Sequence, residues 1–172
     1  MATMRRIGAS EEDLLVVQSN LAGTYRALGR LEEALRMRQN LYSECVRING
    51  EESRETLVEA VCYANALIVS RRFNDAKALM RQTLPVARRV LGNMHEYTLR
   101  MRSNYARALC EDDSATLEDL RESVETLEDV ERIARRVFGS EHPRLQFIER
   151  HLRNARAALH ARETADTPPK DA

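Results

Sequence analysis

The sequence RRVLGNMHEYTL (Arg88–Leu99) returns with few changes as RRVFGSEHPRLQ (Arg135–Gln146). In both stretches two arginines, a valine and a second apolar residue lead to a glycine, and a histidine follows three residues later. Gly92 and Gly139 lie 47 residues apart, and Gly50 precedes Gly92 by 42 residues. Self-similarity at a nearly fixed period predicts an array of stacked repeat units.

The same period is visible in the small and apolar residues between the glycines. Ala22, Ala64 and Ala106 are spaced by 42 residues, and so are Leu67 and Leu109. Within each period, apolar residues recur at three- and four-residue steps in two successive segments, which predicts two amphipathic helices per unit. The sequence therefore predicts an all-α fold, a right-handed α-solenoid of seven helices whose last helix caps the array.

Three units are expected at about residues 10–50, 51–92 and 93–139, with the capping helix at 142–163 and disordered ends at 1–9 and 164–172. Gly29 is placed to end a helix in the left-handed conformation, and Pro85 to kink a helix without breaking it. Ser10 with Asp13 resembles a capping box. The third unit is five residues longer near EDDSAT, where Asp113 or Ser114 is expected to cap its second helix.

The composition argues against several classes of function. Lys plus Arg and Asp plus Glu both number 27, so the net charge is zero, which disfavours a dominant interaction with nucleic acid or an anionic membrane. No run approaches the roughly 20 apolar residues that span a bilayer. The basic start MATMRRIGAS lacks the apolar core of a secretory signal. We expect an intracellular protein, most simply cytoplasmic, and an organelle-targeting origin for this segment stays open.

Cysteine and histidine show no pattern typical of catalysis or metal binding. Cys45, Cys62 and Cys110 form no CxxC pair and no cluster with zinc-ligand spacing, so they are expected to be reduced and mostly buried. His95 and His142 follow repeat glycines, where an imidazole is expected to bond the backbone of the inter-repeat turn. No nucleophile elbow, Walker loop or HExxH motif occurs. The sequence therefore predicts a non-enzymatic protein without cofactor or metal.

Several stretches carry a resemblance to a known family. NLAGTYRALGRLEEAL (Asn20–Leu35) and GSEHPRL (Gly139–Leu145) resemble the 42-residue tetratricopeptide repeats of kinesin light chains, whose unit reads roughly G-x-x-H-P-x-T-L, N-L-A and G-x-x-x-E-A. TLPVARRVLG (Thr83–Gly92) and the segment 115–139 look closer still to the expanded kinesin-light-chain-like repeat proteins of microalgae and protists. The resemblance covers about residues 10–159 and implies a protein-interaction scaffold or adaptor.

The sequence departs from the family pattern at three helix-packing positions. Arg38 stands where an aromatic residue is usual, Thr83 where alanine is usual, and Ser123 where a small alanine would contact the neighbouring helix. The heptad segment by which kinesin light chains join their heavy chains is not found in the sequence. The resemblance is therefore not expected to extend to association with a motor.

In arrays of this kind the first helix of each unit lines a concave groove. The column of residues before Leu-Ala is Asn20, Cys62 and Asn104, and an asparagine there can bond a peptide backbone or brace neighbouring helices. Positive charge around an apolar middle unit suits an acidic-apolar peptide or helix. The predicted partner-binding residues are Ser19, Asn20, Gly23, Arg26, Val61, Cys62, Asn65, Val69, Ser103, Asn104 and Arg107.

Two functions of different classes stay open at this point. The first is an adaptor that reversibly binds a peptide segment or helix of another protein on its concave face. The second is a permanent structural subunit of a larger assembly, held through the convex face or the edges, with self-association as one form. Leu14, Leu15 and Val16 begin the array almost at once and are expected to form an apolar edge available to such an assembly.

Overall fold

The computed structural model describes residues 11–165, which form seven α-helices and no strand. This confirms the predicted all-helical fold. The expected disorder at 1–9 and the Ser10 cap lie outside the described residues, as does the tail from residue 166, whereas residues 164 and 165 are helical. The helices are α1 Glu11–Ala27, α2 Leu31–Asn49, α3 Arg54–Val69, α4 Phe73–Val90, α5 Glu96–Cys110, α6 Leu117–Phe138 and α7 Pro143–Ala165.

The helices stack in two layers. Each helix packs against the next along the chain, and the first helices of the units also approach one another, α3 contacting α5 and α5 contacting α7. Among the described residues, no pair from α2, α4 and α6 lies that close. The layer whose members touch is the inner side of the curve. We call α1, α3, α5 and α7 the A helices, which form the concave face, and α2, α4 and α6 the B helices.

Small residues set the spacing between the A and B helices of each unit. Ala64, Ala76 and Ala106 are completely buried, because a methyl group is all that fits where the two helix backbones cross. Ser123 occupies the place of Ala76 in the third unit, and its hydroxyl donates to the carbonyl of Ala106 at 2.8 Å. The buried serine is therefore satisfied, and the departure from alanine leaves the helix pair intact.

Two features of the B helices, Pro85 with Thr83 in α4 and the start of α6, can be explained by their local hydrogen bonds. α4 runs through Pro85 without a break, and the hydroxyl of Thr83 donates to the carbonyl of Leu79 at 2.8 Å. The expectation that Asp113 or Ser114 caps α6 is wrong, because the cap is Thr116. Thr116 and Asp119 form a reciprocal capping box.

The turns between A and B helices use the left-handed conformation. Gly29 has φ 75°, and the amide of Arg30 donates to the carbonyl of Tyr25 at 2.9 Å, as in a Schellman motif. One repeat later Arg71 takes the same place with φ 57°. A side chain in this region crowds the following carbonyl, so the second turn is strained where the first is not.

We expect Arg71→Gly to raise the free energy of unfolding by about 0.5–1 kcal/mol, because it relieves this strain. The side chain lost lies 5.3 Å from the Phe73 ring and contacts exposed Asp113, contacts of small net worth. Gly29→Ala, the matched change in the first unit, should lower stability by about 1 kcal/mol. Urea denaturation of both variants checks this. If both lose stability equally, the contacts of Arg71 outweigh its strain.

Candidate functional site

The residues that begin the A helices have a structural role. Ser53, His95 and His142 precede α3, α5 and α7, and each imidazole Nδ1 accepts a backbone N–H two residues on, from Tyr97 and Arg144 respectively, at 3.2 Å. Bonding to the backbone is the role expected for these histidines. Within residues 11–165, no group of three or more metal-ligating side chains comes together.

The predicted asparagine column divides into two environments. The Asn104 side chain is buried, with 6% exposed, and its Nδ2 donates to the carbonyl of Val61 on the neighbouring A helix at 3.2 Å. Asn20 is exposed, and Cys62 between them is half-buried. Asn104 therefore braces α5 against α3, whereas the side chain of Asn20 is exposed.

Three other predicted groove residues are also buried, so little of their surface is exposed on the concave face. Val61 is 1% exposed and belongs to the core, and Ser103 donates to the carbonyl of Leu99 at 2.9 Å. Arg107 is 9% exposed and donates to Asn65 Oδ1 at 3.1 Å. The close approach of α3 and α5 covers them. The remaining predicted residues keep some exposure: Ser19, Asn20, Gly23, Arg26, Cys62, Asn65 and Val69.

The first junction between A helices contains a charged network. Arg38 on α2 reaches between α1 and α3, where its Nη1 donates to Glu59 Oε2 at 2.8 Å and to the Ser19 hydroxyl at 2.7 Å. Its Nη2 donates to the Ser19 carbonyl at 2.9 Å, and that hydroxyl donates to Glu59 Oε1. Arg38, the unusual residue of the second helix, therefore has an internal partner for its charge.

An open cleft lies next to this network, between α1 and α3. It has a volume of about 570 Å³, and we call it the N-terminal cleft. Its apolar wall includes Val16, which is 60% exposed. Its lining includes Leu15, Val16, Asn20, Glu55, Val58 and Tyr97.

A second cleft, the C-terminal cleft, lies between α5 and α7 and has a volume of about 340 Å³. Phe147 forms part of its wall and keeps 38% of its surface exposed. An ion pair between Arg144 and Glu96 lies among its lining residues. Three of the predicted groove residues, Asn65, Ser103 and Asn104, line this cleft. The rest of the lining includes Leu99, Arg100, Phe138, Arg144, Phe147 and Ile148.

Between the clefts, Tyr97 lies under two cations. The guanidinium carbons of Arg54 and Arg100 are 5.7 and 5.6 Å from its ring centroid. Neither arginine forms an ion pair within residues 11–165. The concave face therefore offers two partly apolar clefts, with Arg54 and Arg100 beside them and the exposed carboxylate of Glu55 in the N-terminal cleft.

Sequence reasoning missed Val58, Tyr97, Arg100 and Phe147, although a signal existed. On α3 the partly exposed residues Val58, Cys62, Asn65 and Val69 follow one helical stripe, and Val61 lies one position off it. Val58 and Arg100 are 42 residues apart, and Phe147 follows Arg100 by the longer period of 47. Tracing this stripe through the repeats would have found the walls of both clefts.

We expect all three thiols to react slowly with a maleimide or disulfide reagent. Burial raises the pKa of Cys45 to about 11 and also raises the pKa of Cys62 and Cys110, so little reactive thiolate forms at neutral pH. Time-resolved labelling with mass spectrometry of the native protein checks each site, with labelling in urea as the control. Fast native labelling of Cys62 alone would show that its part of the concave face opens.

Acid should destabilise the array through His151 on α7. Burial lowers the pKa of His151 from 6.5 to about 4, and the positive charges of Arg107 and Arg150 contribute to the decrease. The carboxylate of Glu111 lies 3.5 Å from Nδ1 and favours the charged imidazole, but it is already paired with Arg107, and burial has the larger effect. As pH falls below 6.5 the unfolded chain binds the proton first, so this contribution is complete above pH 6.5 and lost towards pH 4.

Between pH 7 and 5 we expect a loss of about 2 kcal/mol from this group. His151→Gln should remove that part of the pH dependence, while His160→Gln, a change at an exposed histidine of the same helix, should retain it. Urea denaturation at the two pH values measures both. Equal pH dependence in all three proteins would contradict the assignment.

Comparison with known proteins identifies a repeat type in part of the chain. A family model described as "Tetratricopeptide repeat" matches residues 14–55 and 64–96. None of the curated proteins matches the sequence. None of the described helices combines the length and apolar character needed to cross a membrane.

Solved structures share the architecture at low identity. Two are described as a kinesin light chain with nearly identical TPR-like repeats from Podosopora anserina, one of them a point-substituted variant. Each is 24% identical over 95% of this chain and 76% of that chain, with TM-scores of 0.72 for the variant and 0.69 for the other. A third, BtubC (BKLC) from P. vanneervenii, is 14% identical over 95% of this chain and 69% of its own, with a TM-score of 0.65. The chain therefore contains tetratricopeptide repeats over residues 14–55 and 64–96, and its described helices have the fold of these kinesin-light-chain-like structures.

Proposed function

We propose that the protein is a non-enzymatic scaffold that binds a peptide segment or helix of another protein on its concave face. The observation that carries this proposal is the pair of open clefts on the A helices, separated by Arg54 and Arg100 on Tyr97. Apolar recesses with unneutralised cations favour an acidic-apolar segment. An intracellular, most simply cytoplasmic, setting is part of the same proposal.

A random peptide library displayed on phage and selected on the immobilised protein tests this. Selected peptides should lose binding to Arg100→Glu, which reverses charge between the clefts, and keep binding to Arg36→Glu, a matched change on exposed α2 surface. Equal loss in both variants would mean non-specific attraction to positive charge. Binding that survives both variants would place the peptide elsewhere on the molecule.

A second function, structural subunit of an assembly, has one observation in its favour. The apolar edge expected at Leu14, Leu15 and Val16 differs from the structure, in which Leu14 is buried and Leu15 and Val16 line the N-terminal cleft. The other exposed apolar residues of this end are Val17 and Leu21 on α1 and Leu28 just after it. Self-association through them would appear as a concentration-dependent mass in light scattering that Leu21→Ser reduces. A constant monomer mass at high concentration would count against self-association through this edge.

A further inference from the structure

A third cleft opens on the convex face, on the opposite side of the array from the two clefts described above. It lies between the B helices α4 and α6, has a volume of about 260 Å³, and is called here the convex cleft. Side chains of α5 form its floor, since α4 and α6 both pack against that A helix. Its lining comprises Arg81, Leu84, Pro85, Arg88, Arg102, Tyr105, Glu122 and Thr126.

The equivalent place between the first pair of B helices, α2 and α4, is almost filled. There the rings of Tyr42 and Tyr63 stack with centroids 5.9 Å apart, and the cavity beside Tyr42 and Ala60 has a volume of about 10 Å³. One period of 42 residues later, Leu84 stands in place of Tyr42 and Arg102 in place of Ala60. The first exchange opens space between the B helices, and the second brings positive charge to that space.

Two arginines of α4 line the convex cleft without a carboxylate partner. Arg81 and Arg88 lie two turns apart on one face of α4, and within residues 11–165 neither forms an ion pair. Arg81 Nε donates to the Tyr105 hydroxyl at 3.3 Å, which holds this guanidinium at the cleft. The acidic groups whose charges reach Arg81 are Asp119 and Glu122, and neither is its ion-pair partner. Two guanidinium groups are therefore available to an anion.

A third arginine, Arg102 on α5, adds a buried donor at the floor of the cleft. Its Nη2 donates to Asp129 Oδ2 at 2.7 Å, and Arg132 donates to the same carboxylate. Its Nε is buried and has no hydrogen-bond partner among the described residues. Buried donors in folded proteins nearly always have an acceptor, so an unsatisfied one on a charged group points to a missing partner.

We propose that the convex cleft binds a phosphate monoester of a small apolar group. At pH 7 such a phosphate carries a charge of about −1.5 to −2, which matches the two unpaired guanidinium groups, and it has three acceptor oxygens. The planar forks of Arg81 and Arg88 suit bidentate hydrogen bonds to phosphate oxygens. A phosphate oxygen at the floor of the cleft would supply the acceptor that Arg102 Nε lacks. The site lies on the opposite face from the proposed peptide-binding surface and does not depend on it.

The rest of the lining selects the group that carries the phosphate. Leu84, Pro85 and the ring of Tyr105 form an apolar wall next to the arginines. The volume of about 260 Å³ lies just below the roughly 300–1,000 Å³ of sites for drug-sized ligands. The cleft therefore suits a phosphate on one small ring or short chain better than a nucleotide.

Isothermal titration calorimetry with phenyl phosphate tests the site. Inorganic phosphate, which lacks the ring, and methyl phenyl phosphate, a diester with a single negative charge, are the reference ligands. Phenyl phosphate should bind at least about tenfold more tightly than either, because it alone combines the apolar group with the second charge. Capped phosphotyrosine identifies the source of the ligand: affinity equal to that of phenyl phosphate indicates a phosphorylated protein, and much weaker binding indicates a free small molecule.

Variants of the lining assign the binding to the convex cleft. Arg81→Ala and Arg88→Ala should each weaken the binding of phenyl phosphate by about tenfold, as expected for the loss of charge-assisted hydrogen bonds. Arg136→Ala, at an exposed arginine of α6 outside the cleft, is the matched control and should bind like the wild type. Leu84→Tyr restores the tyrosine found at the first pair of B helices and should abolish binding with every arginine retained. Circular dichroism melting reports whether each variant is folded, and the arginine variants decide alone if Leu84→Tyr is not.

Three results would overturn the proposal. The first is the absence of phenyl phosphate binding, and the second is equal weakening by the α4 variants and Arg136→Ala, which would show general attraction to positive charge. The third is unchanged binding by folded Leu84→Tyr, which would place the ligand outside the convex cleft. Equal affinity for inorganic phosphate would overturn the choice of an ester. None of these results bears on peptide binding, which the library selection tests on the concave face.

Discussion

Arg38→Ala is expected to lower the free energy of unfolding by about 3 kcal/mol, a large effect for a single substitution in a B helix. The side chains of Arg38 and Glu59 are only 14% and 12% exposed, and their charges are 2.8 Å apart. Removing the guanidinium leaves the Glu59 carboxylate largely buried, and within residues 11–165 the Ser19 hydroxyl is its one remaining side-chain donor. Arg36→Ala, on the exposed side of the same helix, should change stability by less than about 0.5 kcal/mol.

The replacement of both charges should behave differently. One repeat later the same two positions hold Met80 and Met101, which lie in one apolar cluster with Val61. Apolar replacement of a buried ion pair is often neutral or stabilising, so Arg38→Met with Glu59→Met should be at least as stable as the wild type. Urea denaturation of the single and double variants measures this. A double variant less stable than Arg38→Ala would show that the network itself holds α1 in place.

Met80→Arg, the converse change, should lower the free energy of unfolding by at least about 4 kcal/mol and lower the melting temperature accordingly. Met80 is completely buried and packs in an apolar cluster with Val61 and Met101. The new charge would lack both water and a partner. Met80→Leu, which conserves volume and apolarity, is the control and should cost less than about 1.5 kcal/mol.

Transfer of the whole first-junction network should rescue this variant in part. Val61→Ser and Met101→Glu place a hydroxyl and a carboxylate at the positions equivalent to Ser19 and Glu59. Circular dichroism melting of Met80→Arg with and without these two changes measures the rescue. If the triple variant melts no higher than Met80→Arg, the second junction is too close to hold the network. The two junctions would then be equivalent in their backbone arrangement but not in the side chains that they can accommodate.

The helices could be predicted from the sequence because their signals are local. Apolar spacing and the turn at Gly29 depend on neighbouring residues, and α2 begins two residues after Gly29. The repeat period then transfers the pattern from one unit to the next. The cap of α6 was missed because Asp113 and Ser114 are also residue types that favour the N-cap position. The residue that caps the helix is Thr116, whose side chain accepts the backbone N–H of Asp119 while the Asp119 side chain accepts the backbone N–H of Thr116.

The groove could be predicted only in outline. The 42-residue period shows that Asn20 and Asn104 are equivalent, but exposure depends on the distance between adjacent A helices. That distance is short between α3 and α5, which buries Asn104, and longer at the first junction, where Arg38 and Glu59 lie beside an open cleft. Sequence spacing carries no information about such differences between junctions.

The central claim, that a partner peptide lies on the concave face, is tested most directly by hydroxyl-radical footprinting with a library-selected peptide. Oxidation of Tyr97 and Phe147 should fall on binding, while Val90 and Val137, exposed near the ends of two B helices, should be oxidised as in the free protein. Protection of Val90 and Val137, or of Val17 and Leu21 on α1, with Tyr97 and Phe147 unchanged, would contradict the account and support an assembly held through the outer surface.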